Sequence, residues 1–129
     1  MVNTGAGTKL FAVDQNSNPI SYAWLKPFKD GYTIKTIGVK GEHQKKGLGS
    51  IMYDKIIELG KLYSDLNQTP EARKMWCKLF SKYKVMGYSD RDNKYFKVRL
   101  NGNEIESADP KYVLYTNKER ENTNRLVAM

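Results

Sequence analysis

Between Gly41 and Ser50 the chain reads Gly-Glu-His-Gln-Lys-Lys-Gly-Leu-Gly-Ser, a basic stretch punctuated by glycine. Chemistry of this kind suits a bound oxyanion. Gly47 and Gly49 let the main chain approach closely, and Lys45 and Lys46 supply countercharge. Behind the stretch Leu48, Ile51, Met52, Ile56 and Leu59 recur at helical spacing, so it opens onto a helix N-terminus. Unpaired amides and about half a unit of positive charge gather at such an end, which favours phosphate. The spacing excludes a Walker A loop, because Gly41 is not followed by Gly-Lys-Ser at the required distance. It also excludes the dinucleotide pattern Gly-x-Gly-x-x-Gly, since Met52 takes the third glycine's place.

Other reactive side chains are sparse. His43 and Cys77 are the sole histidine and cysteine, and one of each cannot build a zinc site of the usual kind, so no metal is expected. Cys77 lies in an apolar stripe beside Trp76, where packing is the expected role. The aromatics Tyr88, Tyr95, Phe96, Tyr112 and Tyr115 stand among lysines and are candidates for stacking on bases, although aromatic residues on strands mostly pack.

The elements that must position the basic loop follow from local pattern. Lys9–Asp14, Ile20–Leu25 and Tyr32–Val39 read as strands of an antiparallel meander, divided by Asn16-Ser17-Asn18-Pro19 and Lys29-Asp30-Gly31 turns. The first long helix runs from the loop to Gly60, and Leu62–Leu66 is a short strand. Thr69-Pro70-Glu71 begins a second helix, with Ala72, Met75, Trp76, Leu79 and Tyr83 as its apolar stripe. Strands are expected again at Lys84–Tyr88, Tyr95–Leu100 and Tyr112–Thr116. The class is α+β. Residues 1–129 form one domain, with 1–8 a loose terminus and 117–129 a polar tail.

Twenty-two Lys and Arg against 14 Asp and Glu give a net charge of +8, which attracts anionic partners without naming one. No run approaches the ~18 apolar residues of a membrane span, and no secretory leader is visible in residues 1–9. With a single cysteine this fits the cytoplasm.

Gln44-x-x-Gly47-x-Gly49, set between a strand and an amphipathic helix, resembles the acyl-CoA loop of the GCN5-related N-acetyltransferase (GNAT) superfamily. The resemblance extends from about Tyr32 to Tyr83, and Ser64-Asp65 followed by Ala72 and Trp76-x-Lys78-Leu79 is similar to small phage-encoded members. It implies a three-layer fold with a mixed, mostly antiparallel sheet and two main helices, the family's N-terminal helices having no counterpart here. It also implies an acetyl-CoA-dependent N-acetyltransferase acting on an amine of a protein or small molecule, in the host cytoplasm if the chain is phage-encoded. By the same resemblance the main chain of Ile37 and Val39 would hold pantetheine, and Gln44, Lys45, Lys46, Gly47, Leu48, Gly49 and Ser50 the pyrophosphate.

Two departures bear on catalysis. The family's tyrosine acid falls four residues after the helix alanine, where this chain has Trp76, and its glutamate base has no counterpart in Tyr32–Val39. Ser64, Asp65 and Tyr83, with Tyr63, are the protic groups expected to stand in. These departures leave open a GNAT-like module that binds a protein partner, a host protein among the candidates, without catalysis. The charge of +8 leaves open a basic nucleic-acid-binding protein.

Overall fold

The computed structural model describes residues 2–4, 7–13, 15–39, 48–114 and 122–129, in two compact units, Met1–Leu62 and Tyr63–Met129. In the first unit β1 (Val2–Thr4), β2 (Gly7–Val13), β3 (Pro19–Phe28) and β4 (Gly31–Val39) pair antiparallel in chain order. The expected meander is present. Its turns use Ser17 at φ 65° and Lys29 at φ 49°, the left-handed backbone that a tight reversal demands. The terminus expected to be loose carries β1 and the start of β2, because Val2–Thr4 pairs with Gly7–Lys9. Main-chain pairing needs no particular side chain, so polar Asn3 and Thr4 gave no sign of it.

Helix α1 (Leu48–Leu59) starts where the apolar spacing put it and packs on β3 and β4. It buries Met52, Tyr53 and Ile56, spaced three and four apart, while Ile51 and Leu59 stay exposed. With Ala23, Leu25 and Leu62 these side chains make the core of the unit. β5 (Lys61–Tyr63) follows directly.

In the second unit α2 (Pro70–Lys82) has Thr69 as N-cap, its hydroxyl accepting from the Ala72 amide at 3.1 Å, and buries Trp76 and Leu79. β6 (Val85–Ser89) pairs antiparallel with β7 (Lys94–Phe96), and β8 (Val98–Asn101) forms a hairpin with β9 (Glu104–Ser107). The strand expected over Tyr95–Leu100 is thus divided at Lys97, its halves pairing with different neighbours. Tyr112 and Val113 lie outside any strand. The Tyr112 ring instead stacks on Phe96 with centroids 4.6 Å apart. Asn124–Ala128, expected within a polar tail, forms β10, antiparallel to β6 and buried from Arg125 to Ala128. At its polar start Asn124 Nδ2 donates to the Val113 carbonyl and Arg125 pairs with Asp90. Antiparallel ladders and two helices give the expected α+β class.

Candidate functional site

β4 approaches the basic loop with a change of register. Trp24 pairs with Thr36 and Leu25 with Ile34, so Lys35 is an extra residue, a bulge that turns both Lys35 and Thr36 outward. Beyond it Ile37 and Val39, opposite Ala23 and Ser21, are half-buried. Gln44, Lys45, Lys46 and Gly47, with His43, lie outside the described residues. The far side of the loop is described. Leu48 begins α1, and Gly49 and Ser50 stand half-buried in its first turn, which contains no acidic side chain. An anion meeting these amides meets no carboxylate on that turn and no side chain at Gly49. α1 packs on β4, the strand that carries Ile37 and Val39.

Ser64, Asp65 and Tyr83 lie in the second unit. Ser64 is buried, and its hydroxyl accepts from the Leu126 amide at 2.8 Å and donates to the Asp65 carbonyl at 3.1 Å. The Ser64 amide donates to the Leu126 carbonyl at 2.8 Å, fastening this residue to β10. Asp65 is at the surface, yet partial burial of its carboxyl raises the pKa above the ordinary value, with the Arg125 charge pulling the other way. A carboxylate whose proton affinity is raised is a better proton acceptor than an ordinary one. Tyr83 caps the C-terminus of α2, its amide donating to the Leu79 carbonyl at 2.8 Å, and the Lys82 ammonium lies 5.8 Å from its ring. Ser64 and Asp65 therefore share one cluster around Arg125, whereas Tyr83 belongs to the helix end.

Arg125 itself was not legible beforehand. A charge beside Leu126-Val127-Ala128 was the one available sign that it is buried and paired, here with Asp90. The same unit pairs the hydroxyls of Tyr63 and Tyr95 at 2.6 Å, with Tyr88 edge-on to both rings. Of the five aromatics considered for base stacking, Tyr88, Phe96 and Tyr112 are buried, so bases cannot stack on them; Tyr95 is exposed with its hydroxyl paired to Tyr63, and Tyr115 lies outside the described residues. Cys77 donates its thiol to the Asn103 carbonyl at 3.1 Å, and burial, with the Glu104 charge second, pushes its pKa up, away from thiolate chemistry. Among the described residues no three His, Cys, Asp or Glu side chains gather as a metal site, and no helix is long and apolar enough to cross a membrane.

Comparison with known proteins bears on this arrangement. A GNAT-family protein of solved structure from Bacteroides thetaiotaomicron is 9% identical, superposes with a TM-score of 0.50 and aligns over 96% of this chain, which spans 61% of that protein's length. At that identity the likeness is one of fold. A GNAT family acetyltransferase from Elizabethkingia anophelis, solved with acetyl-CoA bound, is 17% identical with a TM-score of 0.46, over 95% of this chain and 74% of that one. No curated protein matches the sequence. The profile described as "Acetyltransferase (GNAT) family" matches residues 3–69, a span that takes in the meander, the basic loop and α1. That span exceeds half of the sequence, and the chain belongs to the acetyltransferase (GNAT) family.

Proposed function

We propose that the protein is an acetyl-CoA-dependent N-acetyltransferase that moves an acetyl group to an amine. The observation that carries this reading is the family match over residues 3–69, a span that contains the Gln44-x-x-Gly47-x-Gly49 run, whose last glycine stands in the first turn of α1. The amides of Leu48, Gly49 and Ser50 would hold the diphosphate together with Gln44, Lys45, Lys46 and Gly47, and the main chain of Ile37 and Val39 the pantetheine. Acetyl-CoA, when bound, supplies the acyl group as a thioester. The chain's own work is then to orient the amine and to manage protons. Asp65, its proton affinity raised by burial, suits acceptance of a proton from the incoming amine. Tyr83 is a hydroxyl donor for the departing sulfur. Ser64 holds the Asp65 segment against β10. Positioning supplies much of the rate when the amine arrives neutral. A reducing cytoplasm suits one unpaired cysteine.

Isothermal titration with acetyl-CoA, followed by thiol release with a panel of amines, tests the reading. Saturable binding and amine-dependent thiol release are expected; no heat at millimolar acetyl-CoA would remove it. A second reading, a partner-binding module without transfer, is favoured by Trp76. This residue stands where the family's tyrosine is expected and is buried at 3% exposure. It predicts that acetyl-CoA, bound or not, releases no thiol with any amine.

A further inference from the structure

The two faces of the β2–β3–β4 sheet differ in chemistry. Ser21, Ala23 and Leu25 alternate toward the side on which α1 packs and are buried. The intervening residues face away from the helix. There Tyr22 is 44% exposed, its cross-strand partner Phe11 49% and Val13 52%. Opposite Tyr22 on β4 stands Gly38, and a Cβ at that position would come within 2.5 Å of the Tyr22 ring. The ring therefore lies across β4 in space that only glycine leaves free.

The charges on this face have one sign. Lys9, the partner of Trp24, and Lys35, brought to the same side by the bulge, hold their ammonium groups 4.8 and 4.0 Å from the Trp24 ring. Lys26 continues the Tyr22, Trp24 alternation and is exposed. The strands β2, β3 and β4 contain no Asp or Glu. Open aromatic rings flanked by cations are the arrangement that accepts stacked bases joined by phosphates. A second copy seated on the face would oppose lysine with lysine. An acidic peptide would answer the charge, but its carboxylates have no flat face for Phe11 and Tyr22.

We propose that this face of β2–β4 binds single-stranded nucleic acid, bases stacking on Phe11 and Tyr22 while Lys9, Lys26 and Lys35 engage phosphates. This binding uses no residue of the basic loop and stands whether or not acyl transfer is confirmed.

Fluorescence anisotropy of the full chain with a labelled oligothymidine of about fifteen nucleotides tests the proposal. Between about 50 and about 200 mM salt, three phosphate contacts should weaken binding about 20-fold. Phe11→Leu and Tyr22→Leu keep apolar volume and remove the ring, and each should weaken binding about fivefold or more. Lys26→Gln, at an exposed position that packing does not constrain, should lower the salt slope by about 0.7. No binding at the lower salt would overturn the proposal. So would equal affinity in the two leucine variants, with folding checked by circular dichroism. Displacement of the oligonucleotide by equimolar poly-glutamate would assign the face to an acidic protein instead.

Discussion

Arg125 grips Asp90 with two nitrogens at once, Nε donating to Oδ1 at 2.8 Å and Nη2 to Oδ2 at 2.5 Å. Its third nitrogen, Nη1, donates to the Ser64 carbonyl at 3.0 Å, so one planar fork ties β10 to the residues following β6 and β5. The Arg125 side chain is only 10% exposed, and the partner carboxylate is what makes that burial tolerable. Asp90→Asn should therefore cost about 2 to 4 kcal/mol, because it leaves the guanidinium buried against a neutral amide. Urea unfolding measures this, and a loss under about 1 kcal/mol would show that the clamp is replaceable.

Gly87 and Phe96 face each other across β6 and β7, and a Cβ on Gly87 would overlap the Phe96 ring. That ring cannot retreat freely, being stacked on Tyr112. Gly87→Ala should destabilise the protein by about 2 to 3 kcal/mol as overpacking. Combined with Phe96→Leu the two losses should fall short of their sum, and strict additivity in thermal unfolding would refute the proposed clash.

Gly49 stands in the first turn of α1 with no side chain between its amide and an incoming anion. By helix propensity a valine there costs nothing relative to glycine, but its branched side chain crowds the amides. Gly49→Val is expected to weaken acetyl-CoA at least about tenfold by titration while the melting temperature changes little. Retained affinity would move the diphosphate away from this helix end.

Asp65 links stability to pH. Burial raises its pKa, with the opposing pull of Arg125 second, so the native state holds the proton more firmly than the unfolded chain does. Its favourable contribution is then complete below the ordinary carboxylate range and is lost as pH rises through the native value. Asp65→Asn, which fixes a neutral side chain, should be at least as stable as the parent at about pH 7 and lose that advantage near about pH 3. A variant clearly less stable at neutral pH would mean the charge is held favourably. In transfer assays the same change should lower kcat about a hundredfold, and an unaltered kcat would take proton transfer away from Asp65.

Both helices were legible because their signals are local. Met52 and Ile56 in α1, and Trp76 and Leu79 in α2, are buried as the spacing of apolar residues required, and Thr69 caps α2 as its hydroxyl chemistry predicts. The three strands of the meander were legible from alternation and turn residues. β9 and β10 were not. Apart from the buried Ile105, Glu104–Ser107 and Asn124-Arg125 are polar; Glu106 pairs with Arg99 and Asn101 across its own hairpin, and Arg125 with Asp90, thirty-five residues away. Tyr112, with every local mark of a strand residue, leaves the strands and stacks on Phe96.

Residue type and spacing alone determined the basic glycine run ahead of α1 and the family it points to, because a phosphate loop is written in consecutive residues. Tertiary structure decided which polar groups are already engaged: it spends the Ser64 hydroxyl on β10, leaves the Asp65 carboxyl half-desolvated and turns Phe11 and Tyr22 to solvent. Desolvation and cross-strand neighbours depend on segments up to sixty-two residues apart, as Ser64 and Leu126 are, and no local window of sequence contains that information.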